Sequence, residues 1–479
     1  MEKHYAISKW PNAAEISEKM DKLVNSPLLH IKKDAMAKYL NYFETKCMGS
    51  KKMIEEAKNY IPGGVQHNLA FNYPFPLAMT KAEGAYLYDV DGNRYVDYLQ
   101  AGGPTLLGSN YPAVSEKAIE VIKENGAVIG LFNEYDLKLA KIIRENMPWV
   151  ESYRCLASGT EADMVAIRIA RTFTGKENII KIGGAYHGWS DQMVYSLHIP
   201  YTQVFEAHGI PKEASSHTRE AFPGSIESLR MALEANEKDG GTAAVVLEPI
   251  GPESGTRVAE FDYCAKVREL CDEFGALLIF DEVVTGFRLG PGGAQGYFNV
   301  RPDLTVFGKI VSGGFPMAGG VGGRADIMAC CASGVGNGKK AYVGGTLTAN
   351  PLTCATGYYA IKEIVEKDAA KKAGENGDKL TAGIQKLIDK YELPFVVWNF
   401  GSIIHFEVSG LMYLSVKDPD IFKKIPERKK NIEEFGAALT ANGVITLAGS
   451  RIYTSMADND ETIKETLDAF DDVFSNIER

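Results

Sequence analysis

The chain changes its hydrophobic rhythm along its length. From residue 101 to about residue 345, short unbroken apolar runs alternate with stretches of helical periodicity, the pattern of strands covered on both faces and joined by helices. The runs at 179–182, 243–247, 276–280 and 304–308 each read as a buried strand of a doubly wound, mostly parallel sheet. Residues 85–98 instead alternate apolar and polar around Asp91-Gly92, which predicts a β-hairpin of a smaller domain. Beyond about residue 352 a helical run at 354–366 and a strand-like segment at 402–406 read as a C-terminal α+β part. Residues 1–50 mix lysine, glutamate and leucine at loosely helical spacing, broken at Pro27; they predict two helices of an extension that packs or contacts a dimer partner.

At 479 residues the chain exceeds the roughly 250–300 that one core accommodates. The expected division is a helical extension (1–50), the N-terminal part of a small domain (51–100), a large domain (101–345) and the C-terminal part of the small domain (346–479). The fold class is therefore α/β, a large doubly wound sheet domain plus a smaller α+β domain formed by the N- and C-terminal segments.

Two residues stand at strand ends in unusual surroundings. Asp281 closes the run 276–280, and Lys309 follows the run 304–308 and precedes Ser312-Gly313-Gly314, where backbone can approach a ligand closely. Ligands of such sheets bind at the carboxyl ends of the strands. An amine and a carboxylate there suit pyridoxal 5'-phosphate (PLP), which takes a lysine as a Schiff base and an anion to keep its pyridine nitrogen protonated.

The words FDEVVTGFR and FGKIVSGGFPMAGGVGG, with Asp281 and Lys309 28 residues apart, resemble those of the class III PLP-dependent aminotransferases of fold type I, nearest to the aminomutase-like group that acts on glutamate 1-semialdehyde. The resemblance runs over residues 50–456 and implies further site residues. Ser158, Gly159 and Thr160, in a word that opens a helix over residues 163–172, would cradle the phosphate at the helix N-terminus. Tyr186, in Gly184-Ala185-Tyr186-His187-Gly188, would cover one face of the cofactor ring and Val283 the other, with His187 and Glu248 in support. Thr346 would reach the phosphate of a neighbouring subunit, which implies a homodimer with active sites at the interface.

Asn68, Trp189 and Arg451 are the candidate substrate contacts. Asn68 lies in the loop that leads to the substrate, where the group usually carries an arginine shortly after Gly-Gly-Val; Ala70 stands there in this chain, so substrate recognition has moved. Arg451 precedes Thr454-Ser455-Met456 where the family has Pro-Pro-Leu.

A net charge of -10 argues against nucleic-acid and membrane partners, since both reward a basic surface. Seven cysteines without a C-x-x-C spacing, and eight scattered histidines without H-E-x-x-H, give neither a disulfide framework nor a metal site. No signal-length apolar core and no run of ~18 apolar residues occurs, so a cytoplasmic location is expected. The reading is an aminotransferase that moves an amino group from an amine or amino acid by way of Lys309. Its alternatives are intramolecular amino transfer, racemisation or epimerisation and, remotely, a PLP-binding homologue without catalysis.

Overall fold

The structure is a computed structural model and describes residues 4–332, 338–417 and 420–478. The chain forms two compact units, one of Pro112–Lys371 with the N-terminal residues through Tyr5, the other of Ala6–Tyr111 with Lys372–Arg479.

The larger unit is built on a seven-stranded sheet in the order Ser152–Leu156, Gly319–Gly323, Leu304–Gly308, Leu277–Asp281, Thr242–Leu247, Asn178–Ile182, Thr218–Ala221. The last five run parallel and Gly319–Gly323 is antiparallel to both its neighbours. The four expected strands are all present. Each is buried along its whole length, and the two-residue repeat of a strand divides its side chains between two cores. Val246, Ile279, Leu304 and Val306 face Ala162, Val165, Ala166 and Ile169 of the helix Gly159–Thr174. Val245, Leu247, Leu278 and Phe280 face Leu229 and Leu233 of Ile226–Glu237 and Val267 and Leu270 of Tyr263–Phe274. At about 1.5–3 kcal/mol for each fully buried aliphatic or phenyl side chain, these two cores hold the strand ends in register.

The helix expected over residues 163–172 begins earlier and ends later, at Gly159–Thr174, because the Ser158 side chain accepts the Glu161 N–H and so caps it at once. The expected boundary at 345/346 also moves. Helix Pro351–Glu366 packs on the helices Pro112–Glu124 and Glu134–Asn146 and on the 3-10 turn Lys309–Ser312, so it belongs to the large unit, which closes at Lys371. Residues 101–111, expected in the large domain, fall in the other unit.

That unit carries a four-stranded sheet, Met79–Glu83, Tyr86–Asp89, Arg94–Asp97 and Val444–Ile445, and a three-stranded one, Val396–Phe400, Ile403–Glu407 and Arg451–Tyr453. The hairpin around Asp91-Gly92 is the pair Tyr86–Asp89 with Arg94–Asp97. The two helices of the N-terminal extension, Ala13–Asn25 and Lys33–Lys46, are integral to this unit rather than appended. Phe43 and Cys47 share a core with Ala437, and Arg428 and Asn431 donate to the carbonyls of Val24 and Leu29 at 2.8 and 2.9 Å.

The contact of helix Pro351–Glu366 with the turn after Lys309 is close enough to exclude a methyl group: a Cβ on Gly357 would lie 2.1 Å from the Val311 carbonyl oxygen. Gly357→Ala is therefore expected to lower the urea midpoint by the equivalent of about 1–3 kcal/mol despite alanine's better helix propensity; a stabilised variant would contradict this packing.

Candidate active site

Lys309 and Asp281 meet because their strands are neighbours. Leu277–Asp281 and Leu304–Gly308 pair in parallel with Asp281 opposite Val306, which places the carboxylate and, three residues beyond Val306, the lysine at the same edge of the sheet. Lys309 turns the chain abruptly from strand into the 3-10 turn Lys309–Ser312. Its φ is +50°, a left-handed conformation that costs a side-chain-bearing residue of order 1–3 kcal/mol and that structures keep mainly at working sites. Burial pushes the Lys309 ammonium below the ordinary lysine value, and the carboxylates of Glu253, Asp281 and Glu248 oppose that shift without cancelling it.

Asp281 is buried and both oxygens are engaged: Oδ1 accepts the Val283 N–H at 3.0 Å, and Oδ2 lies 2.7 Å from His187 Nδ1. Burial pushes the His187 imidazolium down, outweighing the attraction of Asp281. The ring is thus neutral, with Nδ1–H donating to the carboxylate. Asp163 completes a buried group in which one polar atom of each of Asp163, His187 and Asp281 lies within 4.8 Å of the others. Burial, with the charges of Asp281 and Glu248, raises the Asp163 carboxyl; burial, then Glu253 and Asp281, raises Glu248. Of these acids, Asp281 has two close hydrogen-bond partners.

Ser158 caps the helix Gly159–Thr174 by accepting the Glu161 N–H at 3.3 Å, and Glu161 Oε2 accepts the Ala157 N–H at 2.9 Å. The N–H groups of Gly159 and Thr160 then stand in the first turn of a 16-residue helix without intrahelical acceptors. Val283 is wedged between two glycines: a Cβ on Gly159 or on Gly308 would come within 2.9 or 2.8 Å of its methyl groups. One apolar side chain therefore lies between the helix N-terminus and the strand that ends at Lys309. Across from the sheet edge, Tyr186 is 41% and Trp189 74% exposed, on a loop fastened from below by Lys181, whose Nζ donates to the carbonyls of Ala185, Met193 and Tyr195 at 2.9, 3.2 and 2.7 Å. Burial presses Lys181 down to about 8.

The expected residues Ser158, Gly159, Thr160, Tyr186, His187, Glu248, Asp281, Val283 and Lys309 thus belong to one unit, as do Trp189 and the exposed Thr346. Asn68, exposed on the 3-10 turn Asn68–Ala70, and Arg451 belong to the other. Arg451 needs correction as a carboxylate clamp. It is 3% exposed, and its Nη1 donates to Glu407 Oε1 at 2.7 Å and to the Ser450 carbonyl at 2.9 Å. Its charge is spent on a buried pair between adjacent strands, and removing one partner of such a pair is costly. Sequence reading missed Asp163 and Glu253. An acid on the apolar face shared by Ala162, Val165 and Ala166 was a usable signal for Asp163; Glu253 lies in an irregular Gly-Pro-Glu-Ser-Gly turn that has none.

The residues fit PLP. A buried carboxylate suits a pyridinium nitrogen, an amine held below the ordinary lysine value suits an aldehyde, helix N–H groups suit a phosphate, and Val283 and Tyr186 offer an apolar and an aromatic surface to a flat ring.

Residues 69–474 match the family model described as Aminotransferase class-III. The chain is 35% identical over 439 residues, 89% of its length and 99% of the relative's, to "Glutamate-1-semialdehyde 2,1-aminomutase 1" of Lachnoclostridium phytofermentans. It superposes on the crystal structure of an omega-transaminase from Sphaerobacter thermophilus with a TM-score of 0.81 at 26% identity, covering 91% of this chain and 99% of that one. A glutamate-1-semialdehyde-aminomutase from Pseudomonas aeruginosa shares the fold at 20% identity, with a TM-score of 0.80 over 96% of this chain and 99% of that one.

The electrostatics of Lys309 can be read without cofactor. In competitive acylation of the apo protein followed by mass spectrometry, Lys309 is expected to reach half-modification at a lower pH than exposed lysines, because its neutral form is favoured by burial. Asp281→Asn should move it lower still, since that change removes an anion that supports the ammonium. Titration in step with the surface lysines, or an upward shift in the variant, would contradict the assignment.

Proposed function

The chain belongs to the class III aminotransferases, PLP-dependent enzymes, and from that premise we propose that Lys309 is the lysine that carries the cofactor and moves the proton in amino transfer from an amine or amino acid. The observation that supports this most directly is the placement of a half-buried amine, held below the ordinary lysine value, and a doubly hydrogen-bonded carboxylate at the ends of neighbouring parallel strands.

When bound, PLP supplies an electron sink that allows a proton to leave the substrate carbon bearing the amino group. Lys309 Nζ, neutral at lower pH than an ordinary lysine, would take that proton and return it across the amino nitrogen to the cofactor carbon C4', as a general base and then a general acid. Asp281 keeps the ring nitrogen protonated, and His187, by donating to Oδ2, fixes which way that carboxylate faces. Ser158 and the N–H groups of Gly159 and Thr160 bind the phosphate, and Tyr186 and Val283 hold the ring plane. Glu248, raised toward its neutral form, spares the site a further negative charge. Trp189 and Asn68 are the candidate substrate contacts.

We assign the enzyme to a homodimer, in which the exposed Thr346 serves the partner's phosphate. The run Val128, Ile129, Leu131 and Phe132, at 53, 46, 78 and 77% exposure, supports an apolar interface there. No helix among the described residues is long and apolar enough to cross a membrane. A cytoplasmic location fits seven cysteines that are all free thiols.

The second reading is intramolecular amino transfer, favoured by the 35% identity to an aminomutase. Incubation of the holoenzyme with one amino acid and no keto acid separates the two. Amino transfer between molecules is expected to stop after one half-reaction with the cofactor bleached; repeated turnover would establish the intramolecular reaction instead. Lys309→Ala is expected to retain PLP non-covalently while losing about 10²–10⁴-fold or more in turnover from the missing proton transfer, and a near-normal rate would show that another group moves the proton.

A further inference from the structure

Two thiols that the reaction does not use touch each other behind the elements that carry the cofactor groups. Cys155 and Cys354 stand 199 residues apart in sequence, yet their Sγ atoms lie 3.8 Å from one another. All seven cysteines are free, and among the described residues these are the only two in hydrogen-bonding contact with each other. Cys155 is partly exposed on Ser152–Leu156, the edge strand of the seven-stranded sheet. Cys354 is fully buried in the first turn of helix Pro351–Glu366. The contact with Cys155, burial and the Asp136 carboxylate together push the Cys354 thiol up. The sulfur that meets an oxidant from solvent is therefore Cys155, with Cys354 behind it.

Both cysteines are joined to the site by contacts that leave no slack. Three residues past Cys155 is Ser158, the cap of helix Gly159–Thr174, and a Cβ on Gly319 would fall 2.4 Å from the Ser158 carbonyl oxygen. Beside Cys354, Thr353 Oγ1 donates to the Pro316 carbonyl at 2.8 Å, and Thr356 Oγ1 donates to the Ser312 carbonyl at 2.9 Å. A Cβ on Gly313 would fall 2.7 Å from the Thr356 carbonyl oxygen. The start of this helix and the turn that begins at Lys309 therefore move together. Bonding the two sulfurs takes them from 3.8 Å to about 2.05 Å. Whatever part of that contraction side-chain rotation does not absorb displaces Ser158 or the Lys309 turn, since close-packed groups give way only under strain.

We propose that Cys155 and Cys354 are a redox-sensitive dithiol, a modification site for peroxides, whose oxidation to a disulfide loosens the hold on the cofactor. Hydrogen peroxide converts the Cys155 thiol to a sulfenic acid and releases one water as its O–O bond breaks. The Cys354 sulfur then attacks the Cys155 sulfur, the S–O bond breaks, and the hydroxyl leaves with the Cys354 proton as a second water. Each sulfur gives up one electron, and peroxide takes both.

The test treats reduced holoenzyme with hydrogen peroxide, alkylates the remaining thiols and digests with trypsin in the absence of reductant. Mass spectrometry is expected to find the peptides 155–168 and 341–362, which the lysines and arginines of the chain delimit, joined to each other and released by dithiothreitol. The apparent affinity for PLP should fall by roughly 10-fold or more as the joined fraction rises, the equilibrium equivalent of strain in a close-packed region, and should return on reduction. Cys155→Ser and Cys354→Ala are each expected to abolish the link and the reversible loss of affinity, and in Cys354→Ala the unresolved Cys155 should advance to the sulfinic acid. Absence of the joined peptides in the wild type, unchanged PLP affinity in fully joined protein, or a reversible loss that persists in Cys155→Ser would overturn the proposal. Should Cys354→Ala not fold, the wild-type mapping and the substitution at the partly exposed Cys155 decide it.

Discussion

Burial of one amine beside acids is the constraint from which the remainder of the site follows. Taking the Lys309 ammonium out of water favours the neutral form, while the carboxylates at the same sheet edge favour the charged one, and burial prevails. Asp281 accepts a backbone N–H and lies against an imidazole nitrogen, whereas burial and the charges of neighbouring acids raise Asp163 and Glu248.

The same edge shows how close packing serves chemistry. Val283 reaches both the start of the helix Gly159–Thr174 and the end of the strand Leu304–Gly308 only because Gly159 and Gly308 lack a Cβ. The first turn of that helix, the Val283 side chain and the strand end that precedes Lys309 are thereby brought within one side chain's width of each other. The left-handed φ of Lys309 is the conformational cost of turning its side chain out of a buried strand at that point, and the helix Pro351–Glu366 packed beneath the turn supplies the support that sustains it.

Family membership and site geometry answer different questions. The class III fold is shared with an omega-transaminase and with aminomutases, and the common machinery moves a proton without choosing where the amino group ends. Choice of substrate is left to groups outside that machinery. In this chain an alanine stands at position 70, and Arg451 is engaged with Glu407 inside the other unit.

Much of this was legible in the amino-acid order. Apolar runs of strand length, each ended by a polar residue, identify the strands and put Asp281 and Lys309 at their carboxyl ends, since burial on both faces demands unbroken hydrophobicity. The words around those residues identify the family. Only the folded chain decided that helix Pro351–Glu366 belongs with the large sheet, that the first fifty residues are built into the smaller unit, and that Arg451 is neutralised by Glu407. It alone brought Asp163 beside His187 and Asp281. The reason is common to all of these: periodicity along the chain records whether a residue is buried, but which charges share that burial depends on elements far apart in sequence, and their energies exist only once those elements pack.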